Sequence, residues 1–275
     1  MVEVPGFEIH GKVLDPPTGA LYRATDLVVG RTVALKQIHA ASPGAGSRLR
    51  SSVEVLAGSP HPNLVDVDRL VYTPDALWLV QEWVDGVLLD QLPAGTMNTQ
   101  QAVATMAGVL HGLTHAHHLG IVHGDVCPAT IVITPTGLPR LFDFGLSGPM
   151  GTTGIPSTSR FTSPESRLGQ VLTPASDVYS AAGLLARLLS RTLRAGSRSD
   201  RPPVEAIPPA LRPVLNQALT PTPEDRYPTA GDLLNALDLA AQRSFGLGWL
   251  GSATFATVPR QREALEPAPH TAAAG

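Results

Sequence analysis

Four short runs in this 275-residue chain carry side chains able to do chemistry. Val33-Ala34-Leu35-Lys36 ends an apolar run in a cation, and His123-Gly124-Asp125 sets an imidazole and a carboxylate after a long helical stretch. Asp143-Phe144-Gly145 closes a hairpin, and Ser163-Pro164-Glu165 precedes another helix. Taken singly, each has an ordinary structural reading as a solvated strand end, a turn or cap residue, a chance tripeptide or a helix start. Order and spacing change that. Asp125 and Asp143 stand 18 residues apart and are joined by one hairpin, so both carboxylates can face a single cleft.

In the same order stand His61-Pro62-Asn63-Leu64-Val65, Ser176-Asp177-Val178-Tyr179-Ser180 and Pro223-Glu224-Asp225-Arg226-Tyr227-Pro228. Together these runs make the sequence resemble the protein kinases, and the bacterial (Hanks-type) Ser/Thr kinases in particular, over roughly residues 7–242. The resemblance implies an α+β, bilobal protein-kinase-like fold. Its parts would be a small β-rich N-lobe (1–86), a larger helical C-lobe (87–243) and a flexible C-terminal tail (244–275). Phosphoryl transfer asks mainly for positioning and charge neutralisation. By resemblance, Lys36 would lie on the phosphates of ATP, Asp143 would hold Mg²⁺ and Asp125 would orient the accepting hydroxyl. Leu21, Ala34 and Val132 fall where the family lines its adenine pocket, and Glu82-Trp83-Val84 falls at the hinge. His123 and Phe144 match an apolar stack linking the lobes, Asp177 matches an anchor of the helical lobe, and Glu165 with Arg226 matches a buried pair.

The sequence also departs from that pattern. Aligning Leu21-Tyr22 with the family's Val-Tyr puts Leu14 and Pro16 at the first two positions of the Gly-rich loop and leaves only Gly19. Pro16 and Pro17 remove N–H donors that would cradle phosphates. The helix should offer a glutamate to Lys36. Counting back from His61 places Ser52 there, with Glu54 about 200° further round the helix, unless a slip near Gly58 brings Glu54 inward. In the catalytic loop Cys127 replaces a lysine. Thr130 replaces an asparagine and is at best a weak metal ligand. Gly124 replaces an arginine that would receive an activation-loop phosphate, so phosphorylation at Thr152, Thr153, Ser157 or Thr158 would lack that receptor. The expectation is a pseudokinase, a protein-interaction or signalling module that holds ATP and Mg²⁺ weakly if at all. The alternative is a weakly active Ser/Thr kinase working with one Mg²⁺ on Asp143.

These residues need elements to position them. Strand-like runs span Phe7 to Leu14 and Ala20 to Ala24 around Pro-Pro-Thr-Gly, then Thr32 to Ile38 and Ala76 to Val84. A helical pattern from Arg48 to Ala57 stops at Gly58-Ser59-Pro60. Thr99 would cap a long helix with apolar Val103, Met106, Ala107, Leu110 and Leu113. Ile131 to Thr134 and Leu138 to Phe142 form the hairpin, and Thr162 to Leu172 reads as a loop. Ser176 to Arg191, Pro209 to Leu219 and Thr229 to Gln242 read as helices, and from Ser244 the chain loosens.

Composition sets the outer limits. A formal net charge of −3, without basic runs, argues against nucleic-acid binding. One cysteine excludes an internal disulfide and fits a reducing compartment. No signal-peptide layout or membrane-length apolar stretch is visible, so a cytoplasmic protein is expected. Partners would be proteins, including a phosphothreonine reader if Thr254 or Thr257 in the tail were modified.

Overall fold

The computed structural model describes residues 2–15, 19–38, 45–93, 95–144, 159–193 and 207–253. Pro16, Pro17, Gly145, the four activation-segment hydroxyl residues and the tail threonines lie outside them.

The N-lobe is an antiparallel sheet ordered β1-β2-β3-β5-β4. Its strands are β1 (Phe7–Leu14), β2 (Leu21–Asp26), β3 (Arg31–Ile38), β4 (Val67–Tyr72) and β5 (Leu77–Glu82), with helix α1 (Ala45–Ala57) between β3 and β4. Alternation along β3 decides which residues meet the cleft. Val33 and Leu35 join Val4, Ala24, Trp78 and Val80 in a small core on one face. Ala34 and Lys36 therefore point the other way.

Strand β4 was not expected from the sequence. It is an edge strand whose register shifts between Val67 and Arg69, which breaks the two-residue alternation. Its middle is polar because Asp68 and Arg69 pair with Arg31 and Asp26 at 2.9 and 2.7 Å. Charged edges of this kind resist stray strand pairing and hide the strand from hydrophobicity patterns.

The C-lobe is built around α2 (Thr99–His118), which packs against α4 (Pro174–Leu193) and α6 (Ala230–Phe245). The other helices are α3 (Pro164–Arg167), α5 (Arg212–Ala218) and α7 (Trp249–Ser252). A three-stranded sheet orders β6 (Val87–Leu88), β7 (Ile131–Ile133) and β8 (Pro139–Leu141). Helix α2 is buried over most of its surface because it is central, with only His111 and His118 exposed. Its cap is Asn98 rather than the expected Thr99. Asn98 accepts from the Gln101 N–H, and Gln101 returns the bond to the Asn98 N–H at 2.8 Å.

The segment after α1 seats in a notch on α2. Gly112 makes the notch, since a Cβ there would stand 2.7 Å from Leu64 Cδ2 and 3.1 Å from the Asn63 carbonyl. Asn63 Nδ2 donates to the Pro139 carbonyl at 3.0 Å, and backbone bonds of 2.9 Å join Leu141 to Asn63 and Val65 to Leu141.

The expected loosening at Ser244 is displaced. Helix α6 runs to Phe245, and α7 folds back so that Trp249 is buried. Trp249 Nε1 donates to Asp238 at 2.8 Å, and its carbonyl accepts from Gln100 at 2.6 Å. Periodicity missed this because Gly246 and Gly248 interrupt it.

Glu165 and Arg226 pin α3 to the segment before α6. All five guanidinium donors are satisfied. Two reach the Glu165 carboxylate at 2.8 and 2.9 Å, and the others reach the carbonyls of Ala175, Thr220 and Pro221. Burial pushes the Glu165 carboxyl up, but the Arg226 bonds, with backbone and Ser176 donors, outweigh it and hold it at about 2 instead of 4.5. The unfolded chain thus binds this proton first. The pair's stabilisation is complete above pH 4.5 and is lost as pH falls towards 2. By that linkage it amounts to about 3 kcal/mol. Arg226→Met, which strands the buried carboxylate, should lower the urea-unfolding free energy at neutral pH by about 3–5 kcal/mol. Glu165→Gln should flatten the acid limb of the stability curve.

Candidate active site

Lys36 sits where β3 meets the cleft, paired with Leu21 on one side and Leu79 on the other. Its ammonium lies 2.9 Å from Asp143 Oδ2, and the two side chains are only 1% and 8% exposed. Asp143 is the sole non-glycine residue with positive φ (66°) among the described residues. That conformation carries strain, which a short polar side chain tolerates better than most. Its second oxygen, Oδ1, is buried without a hydrogen-bond partner.

The question of the helix partner is resolved by α1. Ser52 is buried and its hydroxyl is unpartnered, whereas Glu54 is 63% exposed and pairs with Arg50 at 2.9 Å on the outer face. No slip near Gly58 brings Glu54 inward. The countercharge seen beside Lys36 is Asp143.

The loop around Asp125 hangs from Asp177 in the first turn of α4. The Asp177 carboxylate accepts from the His123 and Gly124 N–H groups at 2.8 Å each and lies 3.0 Å from His117 Nε2. Gly124 has φ 78°, a left-handed backbone that glycine enters without a Cβ penalty. The residue standing in place of arginine thus suits the bend. His123 Nε2 lies 2.8 Å from the Phe142 carbonyl, while its Nδ1 accepts from the Asp125 N–H at 3.2 Å. This network requires the Nε2–H tautomer. The ring packs edge-on to Phe144 at 4.6 Å. One imidazole therefore ties the Asp125 loop to the Asp143 segment, as the expected apolar stack requires.

Behind Asp125 the loop closes on itself. Thr130 Oγ1 accepts from the Cys127 N–H at 3.2 Å and lies 3.0 and 3.3 Å from the carbonyls of Cys127 and Asp125. As placed, that hydroxyl is engaged by the loop's own backbone. The Cys127 thiol lies 3.8 Å from it and is pushed up to about 11 by burial, with the Asp125 charge adding to the effect. It is neutral and inert at physiological pH.

Between the lobes lies an apolar cavity of about 60 Å³. The expected residues Leu21, Ala34, Glu82, Val84 and Val132 line it, together with Leu14, Val65, Leu88 and Phe142, which the sequence reading did not place there. Glu82 lends the wall no charge, because Arg140 Nη1 holds its carboxylate at 2.8 Å. Gly19 is absent from the wall. A Cβ on it would fall 1.7 Å from the Gln37 carbonyl, so this glycine serves the close approach of the β1–β2 turn to β3.

A profile of the protein kinase domain matches residues 16–237. The chain belongs to the protein kinase family. It is 30% identical to the serine/threonine-protein kinase PknJ of Mycobacterium tuberculosis over 276 residues, covering 89% of this chain and 47% of PknJ. It is 26% identical to PrkC of Bacillus subtilis, covering 78% and 37%. The crystal structure of the M. tuberculosis PknI kinase domain superposes with a TM-score of 0.71 at 25% identity, covering 87% of this chain and 98% of that one. The kinase domain thus spans less than half the length of these curated relatives.

Family membership implies ATP and Mg²⁺, and the site fits them unequally. Asp143 Oδ1, buried and unpartnered, can accept one divalent cation. Among the described residues no group of three acidic, histidine or cysteine side chains is arranged to hold a metal. For comparison, an enclosed apolar cavity of about 150 Å³ holds a benzene ring. At about 60 Å³ the one seen here is smaller than that. Cys127 offers a check on this geometry. It should react with iodoacetamide about a hundredfold more slowly than in the urea-unfolded chain at the same mildly alkaline pH. The folded rate should climb with pH towards about 11.

Proposed function

We propose that this kinase domain is a pseudokinase, a binding module that presents a kinase-shaped surface to a partner protein and no longer transfers phosphoryl groups at a useful rate. The loop behind Asp125 carries this reading. Where the family sets a cation and an amide, Cys127 and Thr130 turn towards each other and the loop backbone. A neutral thiol cannot offset charge on a migrating phosphoryl group. Removing one such preorganised group commonly lowers rates by about 10²–10³-fold. Ser52, in place of a carboxylate beside Lys36, weakens the cradle further. The scaffold contacts persist in full, from Asp177 and His123 to Glu165 and Arg226.

No helix among the described residues is long and apolar enough to cross a membrane, and we place the module in the cytoplasm, where its lone thiol stays reduced. One observation favours a second reading, that of a weak Ser/Thr kinase. Lys36, Asp125 and Asp143 all remain, and Asp143 keeps an open oxygen for a single Mg²⁺. Labelled ATP with Mg²⁺ or Mn²⁺ separates the two. We expect no phosphorylation of the protein or of generic substrates that depends on Asp125. Transfer that disappears in Asp125→Ala would establish the second reading instead.

A further inference from the structure

Two side chains of the chain itself, Phe142 and Leu14, line the small cavity between the lobes. Phe142, next to Asp143, is 7% exposed and clusters with Val65, Leu88 and Val132, while Leu14 and Val84 pack on the same group. Leu14 comes from β1 in the roof, Val132 from β7 in the floor and Val84 from the connector between lobes. Apolar contact therefore crosses the cleft. The ring cannot be cleared by a small backbone shift, because both backbone groups of Phe142 are held. Its N–H donates to the Thr130 carbonyl at 3.0 Å, and its carbonyl accepts from His123 at 2.8 Å.

We propose that Phe142, with Leu14 above it, occupies the base subsite as a built-in filler, so that the domain closes over its own side chain and excludes purines. This goes beyond the reading given for transfer, since it concerns entry of the base and not the phosphate chemistry. A purine must displace a buried aromatic ring before it can stack between the lobes. Re-exposing such a ring weakens binding about ten- to hundredfold.

The test uses adenosine, which has no phosphate, so its outcome does not depend on whether the domain transfers phosphoryl groups. Adenosine is titrated into the whole chain and followed by isothermal calorimetry, with Trp83 in the cavity wall as a fluorescence reporter. The wild type should show no saturable binding below millimolar concentration, and Phe142→Ala should bind at least tenfold more tightly. Phe142→Leu, a smaller truncation that keeps the apolar cluster, should gain in the same direction and decides the matter if the alanine variant fails to fold by circular dichroism. Micromolar binding by the wild type, or unchanged affinity in the folded variants, would overturn the proposal.

Discussion

Asp177 holds the two backbone N–H groups of His123 and Gly124, and most of the cleft follows from that grip. With the loop fixed, the His123 ring has one place to go, against the Phe142 carbonyl and the Phe144 ring. That sets the segment carrying Asp143, and Asp143 in turn meets Lys36 at the far side of the cleft. A single fully buried carboxylate on α4 is thus linked, through two imidazole bonds and an ion pair, to a strand of the other lobe. A buried charge of this kind persists because every bond that compensates it is present.

The same chain of contacts explains how so much of the scaffold survives beside altered chemistry. Each link from Asp177 to Lys36 uses backbone groups or residues whose loss would strand a buried polar atom. The groups at Ser52, Cys127 and Thr130 stand outside that chain. Their replacement leaves small local consequences, an unpartnered hydroxyl at Ser52 and a self-contained loop at Thr130. The contacts that hold the scaffold and the groups at Ser52, Cys127 and Thr130 are different atoms, so one set can change while the other remains.

Fold and site were legible in the sequence to different depths. Lys36, Asp125, Asp143, Asp177 and the Glu165–Arg226 pair are polar residues at fixed places in ordered runs, and their spacing reveals them. The five residues expected around the cavity lie on its wall for the same reason. Leu14 and Phe142 look like any other apolar residue in a strand, and only the three-dimensional meeting of β1 with the start of the Asp143 segment shows what they fill. Strand β4 was hidden by its polar edge, and α7 by the glycines around it. The close approach of Gly19 to the Gln37 carbonyl could not be read from the sequence, because a glycine needed for close backbone approach and one needed for a phosphate loop are the same letter. Ser52 and Glu54 could be separated only by knowing whether α1 keeps its register to the end.

The notch at Gly112 has a mechanical consequence. Besides the Lys36–Asp143 pair and the apolar cluster around Phe142, the N-lobe is tied to the helical lobe through its main chain at two places, the connector around Val84 and the seat of Asn63 and Leu64 on α2, where backbone hydrogen bonds to β8 hold it. Two fixed points define an axle. Sliding or twisting of one lobe over the other would break those bonds, whereas rocking about the line between them keeps them and works only against the Lys36–Asp143 pair and the apolar cluster around Phe142. The clamshell angle between the lobes is therefore set by side-chain contacts across the cleft and not by the backbone.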